Sequence, residues 1–133
     1  MTTRASGPFD VKLSPQNSDE EPNGSTLARL SIDKQFAGDL TATSKGEMLS
    51  AGTRVTGSAG YVAIERVTGT LDGRKGSFVL QHYAFMNRGT PDLKIVVVPD
   101  SGTGDLTGIS GTMNIVIAQG GKHSYEFDYT LPA

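Results

Sequence analysis

Between Gly60 and Arg88, hydrophobic and polar residues alternate in two long runs separated by Leu71-Asp72-Gly73-Arg74. Neighbouring side chains on a strand point to opposite faces, so a period of two predicts a strand. The first run places Tyr61, Ala63, Glu65, Val67 and Leu71 on one face, and Val62, Ile64, Arg66 and Thr68 on the other. The second places Phe78, Leu80, His82, Ala84 and Met86 on one face, and Val79, Gln81, Tyr83, Phe85 and Asn87 on the other. A two-residue loop at Asp72-Gly73 would set Leu80 opposite Glu65 and His82 opposite Ala63. A four-residue loop would set Glu65 opposite His82. Both registers leave Glu65 and His82 on the face that carries Phe78 and Leu80; only a one-residue slip would separate them.

The same alternation recurs along the chain. Ala5–Leu13 predicts a first strand, with Pro8 marking an edge or bulge. Ser14–Ser25, which holds two prolines and a run of acids, predicts an exposed loop. Thr26–Phe36 alternates Ala28, Leu30 and Ile32 against Arg29, Ser31 and Asp33. Asp39–Ala51 sets Leu40, Ala42, Ser44, Gly46 and Met48 against Thr41, Thr43, Lys45 and Glu47. Small residues on that inner face leave room for tight curvature or for something enclosed. Asp92–Val98 is β-branched and stops at Pro99, and Asp105–Gly111 runs as a short piece into the strand Thr112–Gln119. After a turn at Gly120-Gly121-Lys122, His123–Leu131 points Tyr125, Phe127, Tyr129 and Leu131 inward.

Eight strands joined by short turns, with no helical period, predict an all-β chain. Closing the sheet removes its exposed edges, so the expected architecture is a closed eight-stranded antiparallel barrel forming a single domain over residues 1–133. A barrel of eight strands is filled by side chains or holds one small ligand.

Composition narrows the function. The 133 residues suffice for one domain with a core. A net charge of −2 gives no electrostatic case for nucleic acid or an anionic membrane. No run is apolar and long enough to span a bilayer as a helix, and the start carries no secretory h-region, so a cytoplasmic location is expected. Without cysteine there is neither disulfide nor thiolate metal site, and two histidines without ligand spacing give no case for zinc. No cofactor is expected. Asp100 in VPDSGTG reads as turn chemistry, and the glycines of GTGDLTG precede no helix, so they form no phosphate cradle.

The runs GYVAIERVTGTLDGRKGSFVLQH (Gly60–His82), VVVPDSGTGDLTGISGTM (Val96–Met113) and GKHSYEFDYTL (Gly121–Leu131) resemble a bacterial domain-of-unknown-function family of small β-barrels, over nearly the whole chain. The resemblance implies an antiparallel barrel of the allene oxide cyclase and dirigent type. It brings no activity with it, because shared fold alone transfers none.

The sharpest chemical feature is Glu65 beside His82 on an inward face. Desolvation would raise the Glu65 pKa unless a cation offsets it, and a carboxylate so tuned can take a proton from a bound molecule. His82 could share that proton or orient the molecule. The structural alternative is a satisfied buried pair that pins strand register. Tyr61, Leu80, Met86, Tyr125, Phe127 and Tyr129 are the candidate ligand-lining residues, with Asn87 and Arg88 at the barrel mouth. The expected function is binding of a small apolar or amphipathic molecule over a Glu65/His82 floor. The alternative is an isomerase or cyclase with Glu65 as general base on an apolar carbonyl or epoxide-like substrate, and a filled structural barrel is a third class. Val62, Ile64, Val79, Tyr83 and Phe85 would be apolar on the outside, so a homodimer or higher homo-oligomer is expected.

Overall fold

The computed structural model describes residues 1–132. Its strands are β1 (Thr3–Glu20), β2 (Thr26–Phe36), β3 (Leu40–Gly52), β4 (Ala59–Leu71), β5 (Arg74–Asn87), β6 (Thr90–Val97), β7 (Ser110–Ile117) and β8 (His123–Thr130). Each pairs antiparallel with its neighbours in sequence, and β8 returns to β1 to close the barrel. Among the described residues no helix is long and apolar enough to cross a membrane.

The β4–β5 turn decides the register of the centre. Asp72 and Gly73 both take positive φ, 48° and 83°, as a two-residue hairpin loop requires. Leu71 therefore faces Arg74, Leu80 faces Glu65, and His82 faces Ala63. The shorter of the two expected loops is the one formed, and Glu65 and His82 share the inner face as diagonal neighbours.

One end of the barrel is solid. Leu40, Leu71, Phe78, Phe127 and Tyr129 fill it, and Phe78 stacks on Phe127 at 5.5 Å between ring centroids. The connection from β6 to β7 folds back across this end, where a 3-10 turn at Gly104–Leu106 drops Leu106 and Ile109 into the core. The short piece at Asp105–Gly111 is thus mostly a plug, with Leu106 and Ile109 buried beneath a cap. Two tyrosine hydroxyls tie the end shut. Tyr125 donates to the Ala37 carbonyl at 2.6 Å and accepts from the Leu40 amide at 2.8 Å, and Tyr129 donates to Asp72. Burial and the Asp72 carboxylate push the Tyr129 phenol up to about 12.

The other end is open and uneven. β1 runs to Glu20, so the polar stretch expected as a loop from Ser14 is half of a long hairpin with β2. Polar composition argued for a loop, but the full length of β2 offers a ladder that satisfies its backbone. The irregularity expected at Pro8 lies instead between Pro15 and Asn17, where the β1–β2 register shifts by one residue. Pro8 itself pairs with Ser124 on β8. The β1–β5 wall is tall, whereas β6, β7 and β8 have eight residues each. β6 and β7 are laddered through a single pair, Val96 with Thr112.

Candidate functional site

The inward positions of four consecutive strands bring together Lys34 on β2, Ser44 on β3, Glu65 on β4 and His82 on β5. All four are buried. Lys34 and Ser44 are direct register partners, and Gly46, the next inward position on β3, faces Glu65. A Cβ on Gly46 would sit 2.0 Å from the Ile64 carbonyl oxygen, so glycine is what allows β3 and β4 to approach this closely beside the carboxylate.

Glu65 is saturated. Its Oε2 accepts from Lys34 Nζ at 2.7 Å and lies 2.6 Å from His82 Nε2, and its Oε1 accepts from Ser44 Oγ at 2.8 Å. Burial on its own raises the pKa of this carboxyl. The His82 hydrogen bond, the Lys34 and His82 charges and the Lys34 hydrogen bond outweigh it and hold Glu65 down at about 2. The raised pKa expected from an apolar face is therefore reversed, because a cation does sit beside the acid. An ionised carboxylate only accepts, so the imidazole proton on this side belongs to Nε2. His82 Nδ1 is buried and has no hydrogen-bond partner among the described residues. The Lys34 ammonium also lies 5.3 Å and 5.9 Å from the ring centroids of Phe9 and Phe36, close enough for cation–π attraction.

Lys34 escaped the sequence reading, although the signal was present. The alternation Ala28, Leu30, Ile32 carries on to Lys34 and Phe36, and the same parity predicts both inside. A lysine near a strand end reads as solvated, and only the acid across the barrel reverses that.

Above this cluster, toward the open end, lies a cavity of about 440 Å3. Met48, Ser50, Ala59, Tyr61, Ala84, Met86, Leu93 and Ile117 line it from the inward positions of β3 to β7. Tyr61 joins cavity to cluster, its ring centroid 6.2 Å from that of His82. Burial and the nearby Glu65 charge raise the Tyr61 phenol pKa, so the hydroxyl keeps its proton. Of the six expected lining residues, the structure puts Tyr61 and Met86 on this cavity. Leu80, Tyr125, Phe127 and Tyr129 are elsewhere, fully packed in the core. Their inward direction follows from alternation; their depth depends on which end of the barrel is plugged, and that is decided by the Gly104–Ile109 connection. Arg88 sits in the β5–β6 turn with positive φ, at the rim as expected, where its backbone amide donates to Ser58 Oγ.

A family model described as a protein of unknown function, DUF3224, matches residues 5–129. The chain belongs to the DUF3224 family. The crystal structure of a DUF3224 protein of unknown function from Shewanella oneidensis MR-1 superposes with a TM-score of 0.94 at 52% identity, covering 100% of both chains. No curated protein matches. The expected family of small bacterial barrels is thus the right one, and the closed eight-stranded barrel is the DUF3224 fold.

Proposed function

We propose that this barrel binds one small apolar or amphipathic molecule in its open end. The supporting observation is the contrast between the two ends. One is packed with aromatic and aliphatic side chains and capped, while the other keeps an apolar cavity of about 440 Å3, within the roughly 300–1,000 Å3 of small-molecule sites. Aliphatic and thioether side chains at Met48, Met86, Leu93 and Ile117 suit an apolar body, and thioethers adapt to irregular shapes. Ser50 and Tyr61 supply hydroxyls for a polar group. Glu65 and His82 then form a rigid floor beneath Tyr61, and an allene oxide cyclase-like barrel is in keeping with that arrangement. A cytoplasmic setting for such a binder is part of the same reading.

The geometry favours binding over catalysis by Glu65. A carboxylate held near 2 and occupied by Lys34, Ser44 and His82 is a poor proton acceptor at neutral pH. The role it suits is to join four strands through one buried polar cluster.

The test uses 1-aminoanthracene, a small apolar fluorophore. Saturable binding at one molecule per barrel is expected. Ala84→Phe and Ala59→Trp, which intrude on the cavity, should each weaken it at least tenfold, a change of about 1.4 kcal/mol. Circular dichroism should be unchanged. Unsaturable binding, or equal affinity in both folded variants, refutes the reading.

A further inference from the structure

The outside of the barrel is unevenly polar. Outward positions on β8 are Ser124, Glu126, Asp128 and Thr130, and Arg4 on β1 pairs with Glu126 and Asp128 across that seam. The outward face of β2 to β5 is different. Leu49, Val62 and Tyr83 stand side by side on β3, β4 and β5, with Ile64 in the next row on one side and Leu27 and Phe85 on the other. These six side chains are between 40% and 56% exposed. At roughly 150–250 Å2 for a large side chain, the bare part of the patch comes to roughly 500 Å2. That is near the top of the roughly 300–600 Å2 seen for the largest patch on a monomer.

The patch has relief. Tyr83 and Phe85 meet edge to face with centroids 6.2 Å apart and form a ridge. Beside it runs a groove of about 690 Å3 lined by Leu49, Val62, Ile64 and Gln81, with Arg29 and Glu47 ion-paired at 2.8 Å along its lip. A ridge next to a groove on a single surface is self-complementary under a two-fold axis, since each copy offers what the other receives.

We propose that this face is the interface of a homodimer, with Tyr83 of each copy seated in the groove between Leu49 and Ile64 of the other. The area agrees: the apolar patch supplies most of the roughly 800 Å2 per partner of a standard interface, and the polar rim at Arg29, Glu47, Gln81 and Lys94 supplies the rest. An apolar centre with an aromatic anchor and charges at the margin is the usual anatomy of such a contact.

Sedimentation velocity on the full chain tests this. Twice the chain mass of 14.0 kDa is expected at micromolar concentration. Ile64→Glu and Tyr83→Glu should each raise the dimer dissociation constant at least 100-fold, with circular dichroism unchanged, whereas Tyr83→Phe should keep the dimer. If Tyr83→Glu fails to fold, Leu49→Lys takes its place. A monomeric parent at about 100 μM, an assembly larger than a dimer, or dimers that persist in both charged variants overturns the proposal.

Discussion

Replacing Glu65 by glutamine isolates what the buried cluster contributes. The substitution keeps shape and volume and removes one charge. Lys34 is then left 6% exposed, without its counter-ion, and must either bear an uncompensated charge or give up its proton. Two routes give the magnitude. Breaking a buried pair by removing one partner costs about 3–5 kcal/mol. Separately, a carboxyl lowered from 4.5 to about 2 on folding contributes about 3 kcal/mol, at 1.36 kcal/mol per pKa unit. The sign follows from the direction of the shift. A depressed folded pKa adds stability that is complete above the unfolded value, near 4.5, and is lost as pH falls toward 2. Urea unfolding followed by circular dichroism, at pH 7 and at steps down to pH 3, measures both. The parent should exceed Glu65→Gln by about 3–5 kcal/mol at pH 7, and the gap should narrow steadily below about pH 4.5. Lys34→Met combined with Glu65→Leu should recover only the part due to Lys34, because His82 Nε2 and Ser44 Oγ lose their buried acceptor as well. A Glu65→Gln variant within about 1 kcal/mol of the parent at pH 7, or a gap independent of pH, refutes the account of how these strands are joined.

Three further substitutions probe the packing of the fold. Tyr125→Phe removes the hydroxyl that serves Ala37 and Leu40 and leaves the Leu40 amide without a partner; a loss of about 1–3 kcal/mol in urea unfolding and faster hydrogen exchange at Leu40 are expected. Gly46→Ala should cost about 1–3 kcal/mol through crowding against the Ile64 carbonyl. Gly52→Ala on the same strand meets nothing within 4 Å and should be near neutral. Equal effects at the two glycines would remove close approach as the reason for Gly46.

The sequence reads clearly wherever one pattern decides one outcome. Asp72-Gly73 and the alternation around it settle the register of β4 and β5, and with it the shared face of Glu65 and His82. The acidic run Asp19-Glu20-Glu21 is harder, because a polar strand and a polar loop have similar composition, and only the partner strand decides between them. Lys34 was legible by parity and hidden by habit: a charge is expected outside until its counter-charge is located. Depth along the barrel axis was not legible at all. Tyr61 and Tyr125 alternate inward in the same way, yet one lines a cavity and the other is sealed under the β2–β3 turn, its hydroxyl held by Ala37 and Leu40, since the path of a connecting segment leaves no periodic trace.

The seam between β6 and β7 is the exception in an otherwise well-laddered wall. Seven or more pairs hold every other seam, and one pair, Val96 with Thr112, holds this one. Mechanically the barrel is a hoop with a single clasp, and undoing that clasp sacrifices one rung while the remaining strands stay zipped. Leu93 and Ile117 stand on the two lips, so the thinnest part of the hoop borders the hollow.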